Sequence, residues 1–405
     1  MNSTVSPNPL PVTAEDTRAA RADSSGAVKD RTAEARFYRP ELDGLRFFAF
    51  LAVYIEHTVG FGVGTHHRLP AWLGDALGTI GIAGVFGVDL FFVLSSYLIT
   101  ELLLRERSLR GHLDVKAFYI RRMLRIWPLY FLFLFAAYGL TFIVPSEGLT
   151  WWHLLGFTFF AGNWVYFLWP VTTVAAPLWS VSLEEQFYLI WPWVIRRSSA
   201  RRLAFYAIGL MVFAAIVTLA MGILHPNFDW VTKNSFTRVD GIAVGVVLAV
   251  LLHGRTPALS AAARGALFAG SIAVLLWVAH DFGLTHVPVA LLPLVTGWPL
   301  AALACGGILL SVLGSTGRWT APLRSGPFVY LGRISYGLYV YHELLLKLAA
   351  QVFPEHDSSP AQMLGYWTFG LVTTLPVAAA SYRFIELPFL RLKRRRFTVV
   401  PSRPD

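Results

Sequence analysis

Apolar blocks of about 20 residues recur along this chain, and they constrain its fold more than any other feature. A helix of about 20 residues crosses the hydrocarbon core of a bilayer, which is about 30 Å thick. Only helices and closed barrels satisfy their backbone hydrogen bonds in lipid. Charged residues make up 14% of the 405 residues, against about 25% in soluble domains. The sequence therefore predicts an all-α, polytopic membrane bundle.

Ten of these blocks are expected to cross the membrane. They are 45–63, 78–104, 119–144, 181–196, 203–224, 236–253, 264–282, 288–313, 328–352 and 363–386. An eleventh apolar run, Trp151–Trp169, is expected to be re-entrant or interfacial, because one more crossing would move every later basic loop outside. Its four tryptophans suit the headgroup level of a membrane.

Basic residues are concentrated in alternate loops, and this asymmetry predicts the orientation. The largest set precedes and opens the third span: Arg105, Arg107, Arg110, Lys116, Arg121, Arg122 and Arg125. Because cytoplasmic loops carry an excess of Lys and Arg, both termini are expected inside a bacterial cytoplasmic membrane. The net charge of +10 then sets topology, so we expect membrane lipid and no nucleic acid as a partner.

Three parts are expected along the chain. Residues 1–38 are polar and lack an apolar run, which is typical of a disordered tail, here cytoplasmic. Residues 39–390 form the membrane domain, and residues 391–405 form a basic cytoplasmic tail. We expect no extramembrane domain. The sequence leaves open whether the protein forms a homo-oligomer.

The first span carries Arg46 near its start and His57 deep inside. Eleven helical steps of about 100° place both side chains on one face, about 16 Å apart along the axis. An ionisable residue at membrane depth is a functional hypothesis by default. A structural histidine held by a neighbouring helix explains the spacing equally well.

Four further polar groups are expected in the outer half of the bundle, near the depth of His57: Asp89, Glu184, Glu185 and His342. Charged groups there should face a cavity rather than lipid. Each also has a structural interpretation. The two adjacent glutamates open a span, where the helix dipole favours acidic residues, and the tyrosines around Tyr336 suit core packing.

Arg121, Arg122 and Arg125 lie within about one helical turn, followed by Tyr130. Arginine forks bind phosphates in a bidentate manner, but membrane anchors at the cytoplasmic surface have the same composition. Charge alone favours the anchor interpretation. No sequence motif for a metal site is present, so none is expected.

Six segments together resemble the membrane acyltransferase-3 family over about residues 39–390. They are Arg46-x10-His57, Gly87-Val88-Asp89-Leu90-Phe91-Phe92-Val93-Leu94-Ser95, Arg121-Arg122-x-x-Arg125-Ile126-x-Pro128-x-Tyr130, Trp179-Ser180-x-x-x-Glu184-Glu185-Gln186-Phe187-Tyr188, Ser335-Tyr336-Gly337-Leu338-Tyr339-x-x-His342 and Ile385-Glu386-x-Pro388. One departure is Ser96, where the family usually has glycine, so a close packing contact is expected to differ.

The resemblance implies an acyl-CoA-dependent O-acyltransferase in which His57 is the essential histidine. It implies that Arg46 with Glu184 or Glu185 supports the site, and that the arginine cluster with Tyr130 binds the acyl-CoA. Asp89, Tyr336 and His342 are then substrate-site or structural polar residues. His57 would act as general base, since histidine titrates close to operating pH, or would carry the acyl group transiently.

Members resembling this chain acylate macrolide antibiotics or polysaccharides. We expect the hydroxyl of a macrolide or another natural product as acceptor, with a cell-envelope polysaccharide as the alternative. A transporter or exporter without acyl chemistry would use the same intramembrane charges as a substrate or proton path, but no repeated halves are visible. A scaffold protein would tolerate replacement of His57.

Overall fold

The computed structural model describes residues 38–60, 70–144, 146–224, 231–282, 290–353 and 359–397. All regular secondary structure in these ranges is helical. The α-helices are α1 (Pro40–Ile55), α2 (Ala71–Ala83), α3 (Phe86–Arg110), α4 (Val115–Leu140), α5 (Trp151–Thr158), α6 (Gly162–Leu168), α7 (Leu178–Arg197), α8 (Ala200–Leu224), α9 (Asp240–Leu252), α10 (Ala261–Asp281), α11 (Leu291–Val312), α12 (Gly326–Arg333), α13 (Ser335–Val352), α14 (Pro360–Ser381) and α15 (Leu387–Phe397).

Six helical stretches in the described part are long and apolar enough to cross a membrane. They are Ala71–Arg110, Val115–Leu140, Ala200–Leu224, Ala261–Asp281, Leu291–Val312 and Pro360–Lys393. The predicted all-α membrane fold is confirmed. The other four predicted spans are also helical, in α1, α7, α9 and the α12–α13 pair. Because these helices are short or carry charged residues, length and apolarity alone do not identify them, and the count of ten crossings stays a prediction.

The run Trp151–Trp169 forms two short helices rather than one span. The chain turns between α5 and α6 through Phe160, whose φ of 53° lies in the left-handed region. The α5 helix, with eight residues, is about 12 Å long, well short of a bilayer core. His153 closes the segment, since one ring nitrogen contacts the Thr150 hydroxyl and the other lies 2.8 Å from the Trp169 carbonyl oxygen.

The α3 and α9 helices pack closely, and this contact explains the departure at Ser96. A Cβ added at Gly245 on α9 would clash with the Ser96 hydroxyl oxygen and the Val93 carbonyl. Small residues allow helices to approach closely in membranes. Because Gly245 has no Cβ, it leaves room for the Ser96 side chain. Ser96 also satisfies its own hydroxyl by donating to the Phe92 carbonyl at 2.7 Å.

The α1 helix, with Arg46, packs against α3. Cβ atoms at Gly84 and Gly87 would clash with the backbone of α1, so the two helices are close at this crossing. Beyond Ile55 the chain continues as a π-helical turn, Glu56–Gly60. A second π-helical turn, Tyr382–Glu386, lies between α14 and α15.

The expected tails lie mostly outside the described residues, which begin at residue 38. At the other end, α15 continues to Phe397, so the expected boundary between residues 390 and 391 falls inside a helix. The three-part division therefore stays a prediction.

Candidate active site

The π-helical turn Glu56–Gly60 positions His57 beside an adjacent carboxylate. Its Nδ1 lies 2.5 Å from Glu56 Oε2 and 3.0 Å from the Val53 carbonyl oxygen. Because both neighbours are acceptors, Nδ1 carries a proton, and whenever the ring is neutral its lone pair is on Nε2. π-helical turns are frequent at functional sites. The turn therefore fixes one tautomer of a half-buried imidazole.

His342 on α13 packs its ring edge against His57. The ring centroids are 4.9 Å apart and the ring planes are nearly perpendicular, at 89°. His342 is fully buried, and its Nδ1 lies 2.6 Å from the Tyr339 carbonyl oxygen, to which it donates. Its Nε2 has no hydrogen-bond partner among the described residues. The structure therefore brings together the two histidines that the sequence marked for the outer half of the bundle.

Glu343 completes this group, which we name the histidine cluster: Glu56, His57, His342 and Glu343. Glu343 Oε2 lies 3.9 Å from His57 Nε2. Sequence reasoning assigned no role to Glu56 or Glu343. Both stand next to a predicted site histidine, but adjacent helical residues point about 100° apart, so adjacency alone did not indicate contact.

Arg46, Arg122, Glu184 and Glu185 form a second group, which we name the arginine–glutamate cluster. Glu184 accepts a hydrogen bond from the Tyr188 hydroxyl at 2.9 Å, and the charges of Arg46 and Arg122 attract its carboxylate. The Nε atoms of both arginines are buried without a hydrogen-bond partner in the described structure. Buried donors of this kind are ready to bind an anionic or carbonyl oxygen.

Glu185 faces another side of the same cluster. Its Oε2 accepts a hydrogen bond from the Trp127 indole at 3.0 Å, while Oε1 is buried without a partner among the described residues. Arg122 attracts this carboxylate as well. The α7 helix thus presents its two adjacent glutamates to one arginine from different directions.

Glu184 and Glu185, which the family resemblance assigns to support of the site, make their hydrogen bonds away from the His57 ring. Both glutamates bind residues of α4 and α7 instead, whereas the carboxylates against His57 are Glu56 and Glu343. The reason is that α7 packs mainly on α3, α4, α5 and α6, whereas the π-helical turn that carries His57 packs mainly on α1 and α2.

Tyr339 on α13 connects the two clusters. Its hydroxyl is 2.7 Å from the Ser180 hydroxyl on α7, and its carbonyl receives the His342 hydrogen bond. Both Glu184 and Glu56 act electrostatically on the same tyrosine. Tyr339 therefore lies between the two clusters, within electrostatic reach of a glutamate from each.

The three arginines of the predicted phosphate-binding cluster have different surroundings. Arg121 donates to Glu106 at 2.8 Å in a buried ion pair, and Glu106 also accepts from the Asp114 backbone. Arg121 therefore holds the connection between α3 and α4. This structural contact differs from the binding of acyl-CoA that was expected for Arg121. Arg125 instead attracts the buried carboxylate of Glu386.

Tyr130 and Tyr336 make interhelical hydrogen bonds. The Tyr130 hydroxyl donates to the Phe157 carbonyl at 2.8 Å and is fully buried, so it ties α4 to α5. The Tyr336 hydroxyl donates to the Ile126 carbonyl at 3.2 Å and lies within electrostatic reach of Glu184, Glu185 and Glu386. Tyr336 thus borders the arginine–glutamate cluster, whereas Tyr130 has a structural contact.

Asp89 belongs to neither cluster, contrary to the expected convergence of polar groups near His57. Its carboxylate pairs with Arg238 at 3.0 Å, and both side chains are 2% exposed. The Arg238 guanidinium lies 3.5 Å from the centroid of the Trp298 ring. Of the two roles expected for Asp89, the contacts fit the structural one.

Comparison with known proteins identifies the family of the chain. The Acyltransferase domain model of the acyltransferase-3 family matches residues 39–383. The peptidoglycan O-acetyltransferase OatA of Listeria monocytogenes is 28% identical over 89% of this chain and 57% of its own length. YrhL of Bacillus subtilis, a candidate peptidoglycan O-acetyltransferase, is 30% identical over 89% of this chain and 56% of its own length.

A candidate O-acetyltransferase of Staphylococcus aureus is 27% identical over 87% of this chain and 57% of its own length. The chain thus spans little more than half the length of these relatives. No solved structure matches it. The family match covers both clusters and nearly every described helix, and the chain therefore belongs to the acyltransferase-3 family of membrane O-acyltransferases.

Proposed function

We propose that this protein transfers an acetyl or other short acyl group from acyl-CoA to a hydroxyl of a cell-envelope polysaccharide. The observation that carries the proposal is the histidine cluster. In it, Glu56 holds Nδ1 of His57, and we assign Nε2 as the nitrogen that accepts a proton. A base held by a third group is the arrangement that activates hydroxyl nucleophiles.

The acceptor class is supported by the relatives. Two of the proteins described above carry peptidoglycan O-acetylation in their names, and a glycan presents many hydroxyl groups. This favours the envelope polysaccharide over the macrolide that we expected first from the sequence.

In the proposed reaction, His57 Nε2 removes the proton from the acceptor hydroxyl. The hydroxyl oxygen forms a bond to the acyl carbonyl carbon, and the carbon–sulfur bond of the thioester breaks. The imidazolium then gives its proton to the departing thiolate. Glu56 stabilises the imidazolium while it carries the proton, as the third member of a catalytic triad does.

Arg46 and Arg122 are proposed to bind the donor end of the reaction. Their unpartnered Nε groups and the adjacent Glu184 form a polar but incompletely satisfied site. Arg125 is proposed to assist at its cytoplasmic side. With both termini inside, the coenzyme would enter there and the acyl group would follow the path past Tyr339 towards His57. In the second version of the mechanism, His57 carries the acyl group before the acceptor arrives.

The test measures transfer of radiolabelled acetyl from acetyl-CoA to isolated envelope polysaccharide by protein in membrane vesicles. His57→Ala is expected to lower ester formation by about 100-fold or more, the usual contribution of a general base. His280→Ala, an exposed histidine beside Asp281, is the matched control and should retain wild-type activity. Turnover of His57→Ala within a few-fold of wild type would contradict the proposal.

The acceptor is tested by mass spectrometry of envelope sugars and secreted metabolites from strains with and without the protein. We expect the acyl mass to disappear from a polysaccharide hydroxyl in the strain without it. Loss confined to a small natural product would overturn the acceptor assignment while leaving the enzyme class intact.

A further inference from the structure

We propose that His57, His342 and Glu343 form a binding site for one divalent cation of the zinc class. The potential ligand atoms of these three residues all lie within 4.8 Å of one another. The site goes beyond acyl transfer, because binding of the ion needs no substrate. Its ligands come from two helices far apart in sequence, which explains why no short metal motif is visible.

The ring orientations are those of metal-binding histidines. Nδ1 of His57 is held by Glu56 and the Val53 carbonyl, and Nδ1 of His342 is held by the Tyr339 carbonyl. Histidines that bind metals commonly donate the other ring N–H to a carboxylate or a backbone carbonyl, which fixes the tautomer. In this tautomer both Nε2 atoms carry a lone pair.

His342 provides an independent indication of a missing ligand. Its side chain is fully buried, and its Nε2 has no hydrogen-bond partner in the described part of the chain. Buried polar atoms are nearly always satisfied, and such an atom beside a second imidazole and a carboxylate faces the ligand set that a cation requires.

The ligand types select the ion. Two imidazole nitrogens and one carboxylate form the set that holds catalytic zinc in several enzymes, with a fourth position open. Imidazole ligands disfavour Mg²⁺ and Ca²⁺, which prefer oxygen. Glu56 beside the ring adds a second negative charge to balance the dication.

A metal ion can reach the site, and the separations of the ligand atoms are close to those that zinc requires. The side chains of His57 and Glu343 are 28% and 23% exposed, so an ion can enter from that side. Zn–N bonds are about 2.0–2.1 Å long, and a tetrahedral site therefore needs its ligand atoms to approach by about an ångström. Rotations of the His57 and Glu343 side chains provide that movement.

The binding test uses full-length protein without a histidine tag, stripped with a chelator and kept in detergent. Zinc is titrated against a chromophoric zinc indicator, and the bound metal is counted by elemental analysis after desalting. We expect one zinc ion per chain. Bound Co²⁺ should give the visible absorption of a four- or five-coordinate site.

Variants separate this site from adventitious binding. His342→Ala and Glu343→Gln should each weaken zinc binding by at least about 10-fold, and Glu56→Gln by about 10- to 100-fold, since it removes an outer-shell partner. His280→Ala is the surface control and should retain the ion with unchanged affinity. The melting temperature of each metal-free variant verifies folding, and Glu343→Gln, a near-isosteric change of a half-exposed residue, keeps the test valid if His342→Ala unfolds.

Two results would overturn the site: no zinc bound by the wild-type protein at about 10 μM free ion, or equal binding by wild type and the three site variants. A second readout rests on the proposed function. Because the ion occupies Nε2 of His57, bound zinc should inhibit acyl transfer, and a chelator should restore it. Zinc binding combined with no acyl transfer by the metal-free protein would remove the proposed function but keep the site, whereas acyl transfer by a protein that binds no zinc would remove the site but keep the proposed function.

Discussion

Glu56 contacts the Nδ1 side of the His57 ring, so its charge matters most when the ring is protonated. We predict that Glu56→Gln lowers kcat by at least about 10-fold, because the neutral amide no longer stabilises the imidazolium formed during proton transfer. The measurement is steady-state acetyl transfer, with KM for the acceptor determined in parallel.

The matched control for Glu56→Gln is Asp281→Asn, which neutralises the acidic partner of an exposed histidine and should leave kcat unchanged. An unaltered kcat in Glu56→Gln would show that the Glu56 carboxylate contributes to packing and not to proton transfer.

Arg122 lies between the two glutamates of α7 and stacks over the rings of Phe118 and Tyr188. We predict that Arg122→Ala raises KM for the acyl donor more than it lowers kcat, since the lost guanidinium binds the donor before and during the reaction. Arg196→Ala, at an exposed arginine in the last turn of α7, is the control. Equal donor KM values in both variants would assign Arg122 to lipid anchoring.

At the residue scale, the sequence located the histidines but not their partners. The prediction that His57 and His342 lie near one depth agrees with their ring contact. The contact between Glu56 and His57 could not be predicted, because α-helical periodicity points adjacent side chains apart. The π-helical turn changes this geometry. The partner of Asp89 was not predicted, because Arg238 lies far along the chain and no sequence pattern indicates the pair.

The α3–α9 crossing is the element-scale feature with the clearest test. Gly245→Ala is predicted to destabilise the protein by about 1–3 kcal/mol, the usual range for overpacking, because the new methyl meets Ser96 and the Val93 carbonyl. Thermal unfolding in detergent measures the effect. Gly209→Ala on α8 is the control, since a Cβ there meets nothing within 4 Å.

If Gly245→Ala unfolds at the wild-type temperature, the two helices separate more easily than the close approach indicates. The sequence predicted most helices of the described structure because lipid imposes their length and apolarity. It could not predict how α3 and α9 pack, since the departure at Ser96 is compensated on a helix well over a hundred residues away.

For the whole molecule, the orientation follows from charge and is tested by cysteine labelling. In a Cys305→Ala background, Ser108→Cys after the second predicted span should react with a membrane-impermeant maleimide only after the cells are opened. Ala361→Cys, before the last predicted span, should react in intact cells, because the basic loops lie on the opposite side. The reverse pattern would invert the proposed route of the coenzyme.

The helix that carries Arg46 leads directly to the proposed base, and its charged residues are concentrated in its first two turns. Glu41, Asp43 and Arg46 lie in these turns, and a charge drawn into the hydrocarbon core opposes insertion by a few kcal/mol. During synthesis, α1 should therefore enter the bilayer inefficiently until α3 is available to cover it. The nascent chain would acquire its catalytic centre late, through partners that leave the ribosome after it.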